Sequence, residues 1–226
     1  MVCPNVIILE LLDNGITELG CQFLNKVISP ESKANLMHLK LDHNTFGSAG
    51  LKNLAEGLSR NCYITLISMN YCNIDETGAR SCFEILINSK SLLEDFSLNG
   101  NHLGNKGVIE VLRGTSIAKN LKKIYLSDNQ FNEDDEVLDA IENSMKKNLN
   151  LGRYDFNHNF ITDNGVERIT AILEFANHVY DVEVPIKISK EVYDNFEEKK
   201  KQNNKSKKGK KGKGKGKKKK GWKTLK

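Results

Sequence analysis

Proline and tryptophan are scarce in this chain of 226 residues: there are three prolines and one tryptophan, and aromatics make up 7%. Two of the prolines act as stops, Pro30 breaking a first helix and Pro185 ending a last strand. Apolar runs are short, and none approaches the length that a membrane span needs. A basic leader is missing, and Glu10 and Asp13 interrupt the apolar stretch near the start, so no secretory signal is expected. The five cysteines (Cys3, Cys21, Cys62, Cys72, Cys82) are odd in number and lack CxxC spacing. That argues against a disulfide framework or a zinc site and for a reducing compartment. Phosphate loops, nucleophile elbows and metalloprotease motifs are all missing, so neither a cofactor nor enzyme activity is expected.

What the chain does have is leucine at fixed intervals. In the stretch 36–58, Leu36, Leu39 and Leu41 stand at offsets 0, 3 and 5, followed by Asn44 at 8, Phe46 at 10 and Gly50 at 14. Leu54 and Leu58 then follow at helical spacing. The template restarts at Val6, Ile64, Leu93, Leu121 and Leu151, with a partial copy at Val179, so the steps are 30, 28, 29, 28, 30 and 28 residues. A fixed period in this range is the mark of a solenoid. Offsets 3 and 5 have the alternation of a short strand with one face inward. Offset 8 is Asn14, Asn44, Asn101, Asn129 and Asn159, with Cys72 in the third unit. An inward amide there can pair backbone groups that would otherwise be buried without partners. Glycine at offset 14 suits close packing where a helix begins. Thr115 is a weaker match at offset 22, and two extra residues fall within Glu133–Asp135.

The pattern LxxLxLxxNxφ followed by a glycine-led helix resembles a leucine-rich repeat of the ribonuclease-inhibitor type, over roughly Val6 to Val184. The resemblance implies an α/β horseshoe solenoid with a parallel sheet on the concave face and helices on the convex face. It implies a mode of use, recognition of a protein partner, and leaves the partner open. The fold is shared by ribonuclease inhibitor, the Ran GTPase-activating protein, NOD-like receptor sensor regions, tropomodulin's C-terminal half and several axonemal proteins.

Charge divides the chain in two. Residues 1–196 carry 18 Lys+Arg against 27 Asp+Glu, a net of −9, while 197–226 carry 16 Lys against Glu197 and Glu198, a net of +14; the sum is the overall +5. Residues 1–202 are expected to form one repeat domain of six full units, a closing strand and a capping helix from Ser189 to about Gln202. Residues 203–226 are expected to form a flexible Lys/Gly-rich tail. The run Glu133–Glu136 sets carboxylates at a helix N-terminus, where the helix dipole favours them, and lacks the spaced ligands of a calcium loop.

Outward strand positions at offsets 2, 4 and 6, with offset 7 at the rim, define the expected partner-binding surface: Glu10, His38, Lys40, Asp42, Asn70, Tyr71 (at the rim), Asp95, Asn99, Tyr125, Arg153 and Asp155. On the tail, Lys217, Lys218, Lys219, Lys220 and Trp222 are the expected contacts to an acidic surface such as a tubulin tail, an acidic protein or nucleic acid. The first strand, Val6–Leu12, starts without a cap, so a neighbouring protein or a second copy is expected on it. The expected function is a non-enzymatic interaction scaffold in a cytoskeletal or axonemal (ciliary) assembly of the cytoplasm, with the nucleus left open. A GTPase regulator resembling the Ran GTPase-activating protein is one alternative, although that family ends in an acidic stretch and this chain in a basic one. A nucleic-acid-associated protein acting through the tail is the other; with one aromatic and no arginine, the tail offers phosphate attraction only.

Overall fold

The computed structural model describes residues 6–32 and 34–212, with side chains through Lys205. The tail residues Lys217, Lys218, Lys219, Lys220 and Trp222 lie outside the described residues. Each repeat opens with a three-residue strand: β1 Ile8–Glu10, β2 His38–Lys40, β3 Leu66–Ser68, β4 Asp95–Ser97, β5 Lys123–Tyr125, β6 Arg153–Asp155 and β7 Asp181–Glu183. The strands pair in parallel and in chain order. Ile8 lies beside His38, His38 beside Leu66, Leu66 beside Asp95, and so on to Asp181, so the register steps repeat the sequence period. Parallel neighbours need a crossover, and helices supply it: α1 Glu18–Ile28, α2 Gly47–Leu58, α3 Ala79–Leu86, α4 Gly104–Thr115, α5 Asp135–Lys147 and α6 Asp163–Phe175. A last helix, α7 Lys190–Gly212, follows β7.

The first strand is shorter than the expected Val6–Leu12, and the turn explains why. Offset 7 takes the left-handed conformation in all six units: Asp13, His43, Tyr71, Gly100, Asp128 and His158 have φ between 52° and 64°. That bend ends each strand. Inward positions behave as their spacing requires. Leu39, Leu41, Ile67, Met69, Phe96, Leu98, Ile124 and Leu126 are all buried. Offset-14 glycines lie against the apolar residue at offset 10: a Cβ on Gly50 would come within 2.6 Å of Phe46, and one on Gly78 within 2.6 Å of Ile74. Thr115, the weak match, is fully buried with its hydroxyl satisfied. It donates to the Leu112 carbonyl at 2.8 Å and shares a bond of 2.6 Å with Ser144, which in turn meets the Tyr154 hydroxyl at 3.0 Å.

The asparagine ladder is present and directional. Asn101 Oδ1 accepts the N–H groups of Cys72 (3.1 Å) and Ile74 (3.0 Å) in the preceding unit, and Nδ2 donates to the Met69 and Leu98 carbonyls at 2.9 Å. Asn44 does the same for Asn14, Ile16, Leu11 and Leu41. Cys72 keeps only the donor half, its thiol facing the Leu41 carbonyl at 3.2 Å. Asn14 differs from the expected inward amide: it is exposed, because each rung reaches back to a preceding unit and here none is described.

A second series of asparagines ties the helix ends together. Asn61 Nδ2 donates to the Ile28 carbonyl at 2.7 Å, and Asn148 Nδ2 to those of Thr115 and Ala118 at 2.7 Å. Asn203, on α7, closes the series by donating to Leu173 (3.1 Å), Val179 (3.1 Å) and Ala176 (3.4 Å). The capping helix therefore runs past the expected Gln202 to Gly212, with Val192, Phe196 and Asn203 buried against the last unit. Ser189 starts it, its Oγ accepting from Val192 N–H at 3.4 Å.

Only part of the acidic run sits at the N-terminus of α5. Glu133 turns to the next helix instead: its carboxylate accepts the Thr162 N–H (2.6 Å), the Thr162 hydroxyl (2.7 Å) and the Gly165 N–H (3.1 Å) at the start of α6. Glu133→Ala removes this cap and should lower stability by about 1 kcal/mol, whereas Glu136→Ala, at an exposed site, should change it by less than about 0.5 kcal/mol. Urea melts of the two variants measure the difference.

Candidate partner-binding face

Three residues per strand leave two outward side chains on each, and these form the concave face. Three acid–base pairs on it span neighbouring strands. Glu10 pairs with Lys40 (2.6 Å), Asp95 with Lys123 (2.7 Å) and Arg153 with Asp181 (3.3 Å). Arg153 also lies over the Tyr125 ring, 5.3 Å from its centroid. The hydrogen bond from Lys123 to Asp95 holds the ammonium pKa above its usual range.

Along offset 6 runs a polar chain that stiffens the floor. Asp42 Oδ1 accepts from the Ser68 hydroxyl (2.6 Å) and the Asn70 N–H (2.7 Å). Asn70 Oδ1 accepts from the Ser97 hydroxyl and the Asn99 N–H, both at 2.7 Å, and Asn99 Oδ1 from the Ser127 N–H at 2.8 Å. Asp42, Asn70 and Asn99 thus hold the sheet's rim in register while standing on the face. Toward the C-terminal end, Asp155 gathers negative charge with Asp181 and Glu183. Burial pushes the Asp155 carboxyl pKa up, opposed by the Asn157 N–H and Arg153, and burial raises Glu183 in the same way, opposed by Lys200.

The structure brings Lys40, Asp42, Asp95 and Tyr125 around one hollow of about 240 Å³, and adds Leu66, Ser68 and Ser97, which complete its wall. His38 flanks it on β2, paired in register with Leu66. Glu10, Arg153 and Asp155 stand farther out on the same face. Tyr71 is elsewhere: it stacks on His43 at 4.8 Å and lies over Gly100, at a hollow of about 360 Å³ on the rim with Asn73, His102, Asp128 and Gln130. Strand alternation alone places the first group; the rim hollow depends on left-handed turns that spacing does not reveal. Lys200 reaches Glu183 (4.0 Å) from α7, a contact across a crossover with no local signal. Among the described residues, no group of three or more His, Cys, Asp or Glu side chains is arranged to hold a metal ion. Likewise, no helix among them is long and apolar enough to cross a membrane.

A parallel sheet built from one strand and one helix per unit of 28 to 30 residues, with an asparagine rung between units, defines a class of repeat solenoid. This chain is a leucine-rich-repeat protein of the ribonuclease-inhibitor type. A family model described as "Leucine Rich repeat" matches residues 32–55. The human "NACHT, LRR and PYD domains-containing protein 3" is 33% identical over 149 residues, which is 63% of this chain and 14% of that protein. Mouse ribonuclease inhibitor is 33% identical over 107 residues, 47% of this chain and 23% of the inhibitor. The matched region thus covers less than a quarter of either relative. Among solved structures, the tropomodulin C-terminal domain of Caenorhabditis elegans shares the fold at a TM-score of 0.52 and 14% identity, covering 86% of this chain and 97% of that one. A structure titled "Leiomodin-1 Actin-Binding Site 2" does so at 0.50 and 12%, covering 85% and 92%.

Proposed function

We propose that this protein is a non-enzymatic interaction scaffold of a cytoskeletal assembly, an axonemal or ciliary one included, and that its concave face receives a protein partner. The observation that carries the reading is the central hollow. Leu66 and Tyr125 offer apolar contact beside Lys40 and Asp95, already paired with Glu10 and Lys123, and beside Asp42, held by the Ser68 hydroxyl and the Asn70 N–H, so a partner meets charges that each have a partner of their own. The surplus of carboxylates around Asp155 selects a basic patch on that partner. The lysine-rich tail grips an acidic surface, and the open N-terminal strand takes a neighbouring protein or a second copy. The cytoskeletal setting draws on the likeness to a solved segment whose title names an actin-binding site.

Co-sedimentation with filamentous actin tests the reading. The chain should pellet with filaments, and Leu66→Lys combined with Tyr125→Ala should weaken binding at least about tenfold, since a buried aromatic anchor is worth more than about 1.4 kcal/mol. A chain ending at Gly212 should keep the concave contact and lose salt-sensitive binding. Unchanged sedimentation of the double variant would exclude the concave face, and failure of the whole chain to pellet would exclude actin filaments as the partner.

A further inference from the structure

The two ends of the solenoid are unlike. At the C-terminal end α7 covers the last unit, with Phe196 buried and Asn203 engaging its carbonyls. At the other end, α1 presents Leu19, Phe23 and Val27 to solvent at 60%, 60% and 43% exposure, and Ile7 and Ile8 stand about half exposed on and beside β1. These are not ordinary surface positions. In later units the residue matching Phe23 touches the preceding unit: Asn53 donates to the Glu18 carbonyl at 3.3 Å, and Arg168 meets Asp139 at 3.3 Å. The residue matching Val27 is Gly57 or Gly114, packed against Asn25 and against Leu86 of the unit before. The first unit carries large apolar groups at the positions used for stacking, and among the described residues nothing stacks there.

Resting on the reading of the N-terminal strand as a docking edge, we infer that the occupant is a second copy of this chain, joined head to head about a two-fold axis. The pattern on α1 is self-complementary in that arrangement. Leu19, Phe23 and Val27 are spaced symmetrically about Phe23, so two antiparallel copies of the helix set Phe23 against Phe23 and Leu19 against Val27. The axis that makes the helices antiparallel also makes the two β1 edges antiparallel, and that extends the inter-repeat sheet across the junction. Val6, Ile7, Ile8, Leu19, Phe23 and Val27 together expose on the order of 500 Å², a large part of the ~800 Å² per partner of a standard interface, and the backbone edge adds to it. Because α7 closes the opposite end, one stacking face is open among the described residues, and association about the two-fold axis stops at two instead of growing into a filament.

Sedimentation velocity on the full chain, with hydrogen exchange at the same concentrations, tests the inference. The expected result is a dimer at micromolar concentration, with β1 amides gaining protection as concentration rises. Phe23→Glu should weaken the dimer roughly thirtyfold or more and leave the melt of the remaining repeats unchanged. A chain that stays monomeric overturns the second copy, and its exchange then sorts the two ideas. Rapid opening of β1 relative to β4 leaves the edge free for another protein, while equal protection removes the docking edge as well. A dimer unaffected by Phe23→Glu also overturns the inference, since it must form elsewhere.

Discussion

Asn101→Ala is expected to destabilise the protein by about 2–3 kcal/mol, because one substitution strands two buried donors and an acceptor in the preceding repeat at once. The Cys72 and Ile74 N–H groups lose their acceptor, and the Met69 and Leu98 carbonyls lose a donor. Alanine offers nothing in return, and the site is 1% exposed, so water does not replace the amide. Asn129 provides an internal control. Its Nδ2 donates to the Leu98 and Ser127 carbonyls at 2.9 and 3.0 Å, but its buried Oδ1 has no partner among the described residues. Asn129→Ala should therefore cost less, about 1–2 kcal/mol, and remove one unsatisfied acceptor. Urea melts that rank the two variants in the opposite order would mean that the rungs act through packing and not through their hydrogen bonds.

Removing α7 is the second large perturbation. A chain ending at Ser189 uncovers the face on which Val192 and Phe196 pack and frees the carbonyls of Leu173, Ala176 and Val179. Burial of the two side chains is worth about 1.5–3 kcal/mol each, so the loss should reach about 4–8 kcal/mol once the stranded carbonyls are counted. Repeat proteins pass such damage to the neighbouring unit, and exchange should accelerate first in β7 and α6. Two shorter deletions separate packing from capping. Ending the chain at Gly212 should leave the melt unchanged, whereas ending it at Gln202 should cost about 1–2 kcal/mol through Asn203 alone. Equal stability of these two chains would show that the Asn203 rung is idle. The same comparison protects any study of the lysine tail, since a cut at 203 injures the body as well.

Much of this architecture was legible in the residues. Leu36, Leu39 and Leu41 recur because a strand alternates and a solenoid repeats its contacts, so spacing alone predicts which side chains are inward. The concave row, from His38 to Asp181, follows from the same alternation. What stayed hidden involves residues brought together from different units by paths that no local period encodes. Glu133 caps a helix that begins some thirty residues later. Asn61 and Asn148 recur three residues before a repeat start, but Asn203 does the same job from a helix that approaches from outside the repeat. Tyr71 belongs at the rim by its offset, but its stacking on His43 of the preceding unit depends on a left-handed turn, φ 54°, that the period does not encode.

The amino-acid sequence by itself determined the unit: its strand, its inward amide, its glycine and the inner stripe of its helix. Each is a local demand of hydrogen bonding or burial that every copy must meet. Only the tertiary structure decided how the ends differ and how the face is wired. Whether an amide finds a partner, an acid finds a base or an apolar stripe finds cover depends on the neighbouring unit. Asn14 and Phe23 therefore face solvent while their counterparts in later repeats are engaged.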